Sequence, residues 1–91
     1  MLHIVKHHRS LTEAIAYSTE GDTLLLVEDG VYAGLPAHKS HQDLNQTKLP
    51  VYCLTEDVNA RGLVVGSRCA LVGFSGFVEL TEKYTTSMTW E

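Results

Sequence analysis

The sequence predicts an α/β fold, a small, open and mostly parallel sheet with helices on both faces, on three observations. Short apolar runs alternate with amphipathic segments along all 91 residues, the pattern of repeated strand–helix–strand units. The run Thr23-Leu24-Leu25-Leu26-Val27 shows no polar alternation and reads as a strand buried on both faces, as in a parallel sheet. No linker, internal repeat or low-complexity tract interrupts the chain, so residues 1–91 are expected to form a single domain.

The first strand is expected over Leu2 to Val5. Ser10-Leu11-Thr12-Glu13 has the S-x-x-E spacing of a capping box, which predicts a helix from Leu11 to about Ser18, with Leu11, Ala14 and Ile15 on one face and Gly21 as its stop. The second strand is Thr23 to Val27. Residues 36–48 are polar and fit either a loop or a short helix. The third strand is expected over Pro50 to Leu54, with Pro50 at its first position, where a missing amide is tolerated. Thr55 is the expected cap of a short helix, Glu56 and Asp57 its N-terminal acids, and Gly62 its end. Cys69 to Phe74 reads as a fourth strand. A last helix, Gly76 to Tyr84, places Phe77, Leu80, Thr81 and Tyr84 on one side and sets Glu79 to pair with Lys83. Ser87 to Trp90 fits a fifth strand.

Composition narrows the function classes. A chain of this length, 44% apolar, buries only roughly 60–65% of its unfolded surface, so a partner subunit is expected. The net charge is −4 and no two Lys or Arg are adjacent, which disfavours direct binding of nucleic acid or of an anionic membrane. No apolar stretch approaches the roughly 20 residues that span a bilayer, and the N-terminus lacks the apolar core of a secretory signal, so a cytoplasmic location is expected. Two cysteines without CxxC spacing fit a reducing compartment.

In open parallel sheets, sites form at the carboxyl ends of the strands. Those ends read Lys6-His7-His8, Glu28-Asp29-Gly30, Thr55-Glu56-Asp57 and Gly73-Phe74-Ser75. Glu28 and Asp29 could serve as an acid–base pair, but strand neighbours point to opposite faces. A tight turn is the expected role instead, with the Asp29 side chain bonding local backbone and Gly30 supplying a positive φ. Asp57 is spaced to pair with Arg61 one helical turn on. His3 is expected in the core, hydrogen-bonded, and His7 or His8 at an interface or cleft. His38 and His41 stand at i,i+3, but no third ligand is near in sequence, so they are expected in a solvated loop and no metal site is assigned. Cys53 and Cys69 fall in strands and are expected to be buried. The seven glycines form no phosphate cradle, and no cofactor is expected.

The segments MLHIVKHHRSL, EGDTLLLVEDGVYAGL, VYCLTEDVNARGL and FSGFVELTEKYTTSMTW together resemble the DsrH/TusB family of small sulfur-relay subunits, most of all its TusB branch. L-x-E-D-G-V at 26–31, L-x-E-D-x-x-A-R-G-L at 54–63 and the Ser87-Met88-Thr89-Trp90 ending carry the resemblance, which spans nearly the whole chain. It implies a DsrEFH-like fold and assembly with TusC-like and TusD-like subunits into a dimer of heterotrimers. That complex takes persulfide sulfur from a TusA-like donor and passes it through a TusE-like acceptor toward 2-thiouridine at the tRNA wobble position. The sulfur-carrying cysteine of such a complex belongs to the TusD-like subunit. Relatives in sulfur-oxidising bacteria carry a cysteine on the first helix, where Ala14 stands here.

A subunit without a catalytic residue is thus the expected function, with Glu28, Asp29, Gly30, Tyr32, Asp57, Arg61 and Trp90 in interface or architectural roles. The alternatives are a sulfurtransferase using its own Cys53 or Cys69, a DsrH-like subunit in intracellular sulfur oxidation, and a self-associating α/β binding module unrelated to sulfur.

Overall fold

A computed structural model describes the protein from Met1 to Glu91. Five strands, β1 (Leu2–His7), β2 (Thr23–Asp29), β3 (Val51–Leu54), β4 (Ala70–Val72) and β5 (Ser87–Trp90), form one sheet in the order β4-β3-β2-β1-β5. Every neighbouring pair is parallel. Four α-helices, α1 (Leu11–Tyr17), α2 (His41–Gln46), α3 (Thr55–Ala60) and α4 (Phe74–Lys83), connect them, with 3-10 turns at His8–Ser10 and Gly30–Gly34. No helix is long and apolar enough to cross a membrane.

The two faces of the sheet are covered unequally. Alternate residues Val5, Leu24, Leu26, Val51 and Cys53 face the larger core, closed by Leu11 and Ala14 of α1, Val31, Ala33, Leu44 of α2 and Val58 of α3. The intervening Leu2, Leu25 and Val27 face α4 alone, which offers Phe77 and Leu80, with Tyr84 directly after its end. The unbroken apolar run of β2 follows from this, since its side chains enter both layers.

Local chemistry departs from the sequence expectations at several ends. Ser10 makes no capping bond. The 3-10 turn before α1 delivers the Leu11 amide to the His8 carbonyl, and the Ser10 hydroxyl donates instead to the Glu91 carbonyl at 2.9 Å. Thr55 is the first residue of α3 and not its cap, because the extended Leu54 already occupies that position without a side-chain bond. The fourth strand is only three residues long, and α4 begins at Phe74, two residues early, with Gly73 as its cap. Thr81 is exposed and bonds the Val78 carbonyl, while Glu79 and Lys83 form no ion pair. Lys83 lies over the Tyr84 ring instead, 5.7 Å from its centre.

Residues 36–48 contain a helix, α2. Its end is held by Arg68, whose guanidinium donates to the carbonyls of Leu44 (2.9 Å), Thr47 (2.9 Å) and Leu49 (2.6 Å). A cation at the carbonyl end of a short helix answers groups that the helix cannot satisfy internally. His41 is buried, its Nδ1 bonded to the Ala33 carbonyl at 2.9 Å, and His38 is half-buried, so neither lies in a solvated loop. Gly62 does end α3, at φ +63°.

Candidate functional site

The carboxyl ends of β1, β2 and β3 bring together Lys6, Glu28, Asp29, Asp57 and Arg61. The turn after β2 is built differently from the expected one. Glu28, not Gly30, has a left-handed backbone, with φ +48°, and is the only non-glycine residue that does. Its amide donates to Asp57 Oδ2 at 2.6 Å, a charge-assisted bond that holds the kink in place. Asp29 bonds no local backbone. Its carboxylate takes Arg61 Nε at 3.1 Å and Nη2 at 3.0 Å.

Gly30 is required for another reason. A Cβ there would run into the Val5 carbonyl oxygen, so the 3-10 turn Gly30–Gly34 can lie against β1 only without a side chain. Val31 is buried in the larger core and Tyr32 is half-buried.

Arg61 is the hub. Besides Asp29 it reaches Asp57, with Nη1 3.2 Å from the Asp57 carbonyl and 3.7 Å from Oδ1. One guanidinium thus ties the end of β2 to α3. Glu28 extends to the other side, where Lys6 bridges it (3.5 Å) and Glu91 (3.2 Å), and these two carboxylates raise the Lys6 pKa, Glu91 most. The carboxylates here are matched by cations, and neither Glu28 nor Asp29 is placed as half of an acid–base pair.

Trp90 belongs to a second network. Its Nε1 donates to His3 Nδ1 at 3.1 Å, so His3 carries its proton on Nε2 and donates it to Asp22 at 2.9 Å. His3 is fully buried, as expected, and Tyr17 packs against both rings. Asp22 also takes the N-terminal ammonium at 2.8 Å and the Thr19 amide at 3.1 Å. Chiefly through the ammonium, and through His3 and Thr19, its pKa falls well below the usual carboxylate range.

Cys53 and Cys69 are both buried and lie in the larger core. The Cys53 thiol bonds toward Cys69, which together with burial pushes the Cys53 pKa far up, while the same bond lowers that of Cys69. Nucleophilic chemistry needs a thiolate that can be reached, and Cys53 offers neither condition. No three His, Cys, Asp or Glu side chains converge in a metal-binding arrangement.

Two adjoining open cavities, about 540 and 530 Å³, lie between α1 and the segment ahead of β3, and share Ile15, Thr47 and Lys48. None of the candidate residues lines them. Sequence reasoning did not find Arg68, Asp22 or the positive φ of Glu28. For Asp22 a signal existed, a polar residue directly before a buried strand.

Comparison with known proteins gives a consistent result. Residues 6–87 match the family model described as DsrH like protein. Protein TusB of Enterobacter sp. (strain 638) is 34% identical over 99% of this chain and 100% of its own length. Protein TusB of Serratia proteamaculans (strain 568) is 37% identical over 88% and 86%. The crystal structure of ychN protein from E. coli superimposes with a TM-score of 0.75 over 98% of this chain and 97% of the other, at 21% identity, a likeness of fold. The all-parallel sheet, the motifs at its carboxyl ends and these full-length matches place the chain in the DsrH/TusB family.

Proposed function

We propose that this chain is a non-catalytic subunit of a sulfur-relay complex that serves 2-thiolation of the tRNA wobble uridine. The observation that carries the reading is similarity to TusB proteins at 34–35% identity over 99% of this chain and the whole of theirs. Its partners are TusC-like and TusD-like subunits in a dimer of heterotrimers in the cytoplasm, fed by a TusA-like donor and discharged to a TusE-like acceptor. The burial of both cysteines supports a supporting role, since sulfur carried as persulfide must meet a second protein. In this reading Glu28, Asp29, Gly30, Tyr32, Asp57, Arg61 and Trp90 shape the surface presented to those partners, and the chain touches no nucleic acid.

The test is the native mass of a tagged copy purified gently from its own host, with every co-purifying chain identified. Equal amounts of two similar-sized α/β subunits, one with a persulfidable cysteine, are expected. Recovery of the chain alone, or only with itself, overturns the proposal.

A further inference from the structure

Three imidazoles meet beside the carboxyl end of β1. The His8 ring lies 4.3 Å from that of His7 and 4.7 Å from that of His38, centre to centre. Two chain segments thirty residues apart are thus joined by ring contacts, tilted between His7 and His8 and edge-on between His8 and His38, that belong to neither sulfur chemistry nor the Arg61 hub.

The hydrogen bonds fix what two of these rings present. His7 Nδ1 accepts the Arg9 amide at 3.2 Å and Arg9 Nε at 3.3 Å. His38 Nδ1 accepts the Ser40 amide at 3.1 Å. An amide only donates, so neither Nδ1 carries a proton, and in both rings the proton sits on Nε2. His7 and His38 therefore offer N–H donors, not the lone pairs a metal ion needs. The surroundings agree, because Arg9 and Lys39 are both exposed, neither pairs with a carboxylate, and both act on His8 as positive charges. In a chain of net charge −4, two unpaired cations beside a cluster of ring donors are a local inversion of sign. His8 Nδ1, moreover, is buried without any partner, the only such side-chain atom in the molecule. A buried polar atom left unpaired marks a place where a bonding group is missing.

We propose that His7, His8 and His38, flanked by Arg9 and Lys39, form a binding site for a small oxyanion. The group recognised carries one or two negative oxygens and accepts hydrogen bonds from the ring Nε2–H donors, while the guanidinium and ammonium supply the charge. A free inorganic anion and a carboxylate side chain of a neighbouring subunit share this chemistry.

The full-length chain with ¹⁵N-labelled histidine is titrated with sodium sulfate, and separately with sodium acetate, against chloride at constant ionic strength, while ring nitrogen shifts are followed. Saturable shifts of His7, His8 and His38, with His3 and His41 unmoved, are expected. Arg9→Gln with Lys39→Gln, exposed positions outside the core, is expected to weaken the response about tenfold or more. His38→Phe, which keeps a ring against His8 but removes the donor, is expected to abolish it. The Trp90 indole signal reports whether each variant is folded. Absence of saturation below about 50 mM of either anion overturns the site, as does an unaltered response in the Arg9/Lys39 double variant. A tighter response to Zn²⁺ than to sulfate overturns it too, since zinc would require the opposite tautomers. In the chain purified with its co-purifying subunits, shifts already displaced and deaf to added sulfate identify a partner's carboxylate, and shifts that still respond identify a free anion. Neither arm depends on sulfur transfer, so this site and the relay reading fail separately.

Discussion

The Asp57 carboxylate accepts the backbone amide of Glu28 at 2.6 Å, and Glu28 is the one non-glycine residue held at positive φ. An acid from the first turn of α3 therefore stabilises a strained residue next to the end of β2. A left-handed conformation costs an ordinary residue about 1–2 kcal/mol. Glu28→Gly is expected to raise stability by about 0.5–1 kcal/mol, and Asp57→Ala to lower it by about 1–2 kcal/mol. In the double variant the loss from Asp57→Ala shrinks, because glycine needs no clamp. Urea denaturation of the four proteins measures that coupling.

Arg61 joins Asp29 and Asp57, but Asp29 is about half-exposed and solvent screens the pair. Arg61→Ala is expected to cost only about 1 kcal/mol in the isolated chain. Its larger expected effect is on assembly, since the guanidinium fixes how the end of β2 and α3 present themselves. Native mass spectrometry of the co-expressed subunits checks this, and full assembly at unchanged stability would remove Arg61 from the interface. Arg61→Lys is expected to behave like Arg61→Ala, because an ammonium cannot copy the fork of bonds to two carboxylates.

Asp22 carries an acid dependence. Its pKa is depressed in the folded chain, so the stability it contributes is complete above the unfolded value of about 4 and is lost as pH falls through the lower folded value. Between about pH 4 and 2 the folded protein is expected to weaken more steeply than Asp22→Asn, which lacks the titrating group. Thermal unfolding across that range, followed by the fluorescence of Trp90, separates the two. A parallel decline would show that other carboxylates govern the acid limb.

The cysteines give the fourth prediction. Cys53 is fully buried and Cys69 nearly so. Alkylation of the native chain at neutral pH is expected to proceed at least about a hundredfold more slowly than in denaturant, with Cys69 labelled before Cys53. Peptide mass mapping over time reads the order. Fast native labelling of either would revive a sulfur-accepting thiol on this chain.

Most of the architecture was legible in the sequence because it rests on apolar periodicity, which burial enforces: all five strands fall where the apolar runs lie, and Phe77, Leu80 and Tyr84 do face the core. Position within an end was not legible. Ser10 and Thr55 have capping chemistry, yet tertiary geometry gave Ser10 the Glu91 carbonyl and put Thr55 inside its helix. Gly30 looked like the positive-φ residue of a turn, and the structure uses its missing side chain for close approach to Val5 while Glu28 takes the strain. Arg68 gave no local signal, because the carbonyls it serves lie 19 to 24 residues earlier. The polar stretch around His38 and His41 predicts a solvated loop, but His38 packs against the His8 ring thirty residues away and His41 is buried with its Nδ1 on the Ala33 carbonyl.

The placement of β5 beside β1 also governs the order in which the molecule can assemble. β1 needs β2 on one side and β5 on the other, and the bond between Trp90 and His3 spans 87 residues of chain. Until that long loop closes, His3 Nδ1 has no donor and one edge of β1 stays open to any strand that passes. The slow step of folding is therefore expected to be the arrival of the last strand, and a nascent chain is most vulnerable to mispairing during that wait.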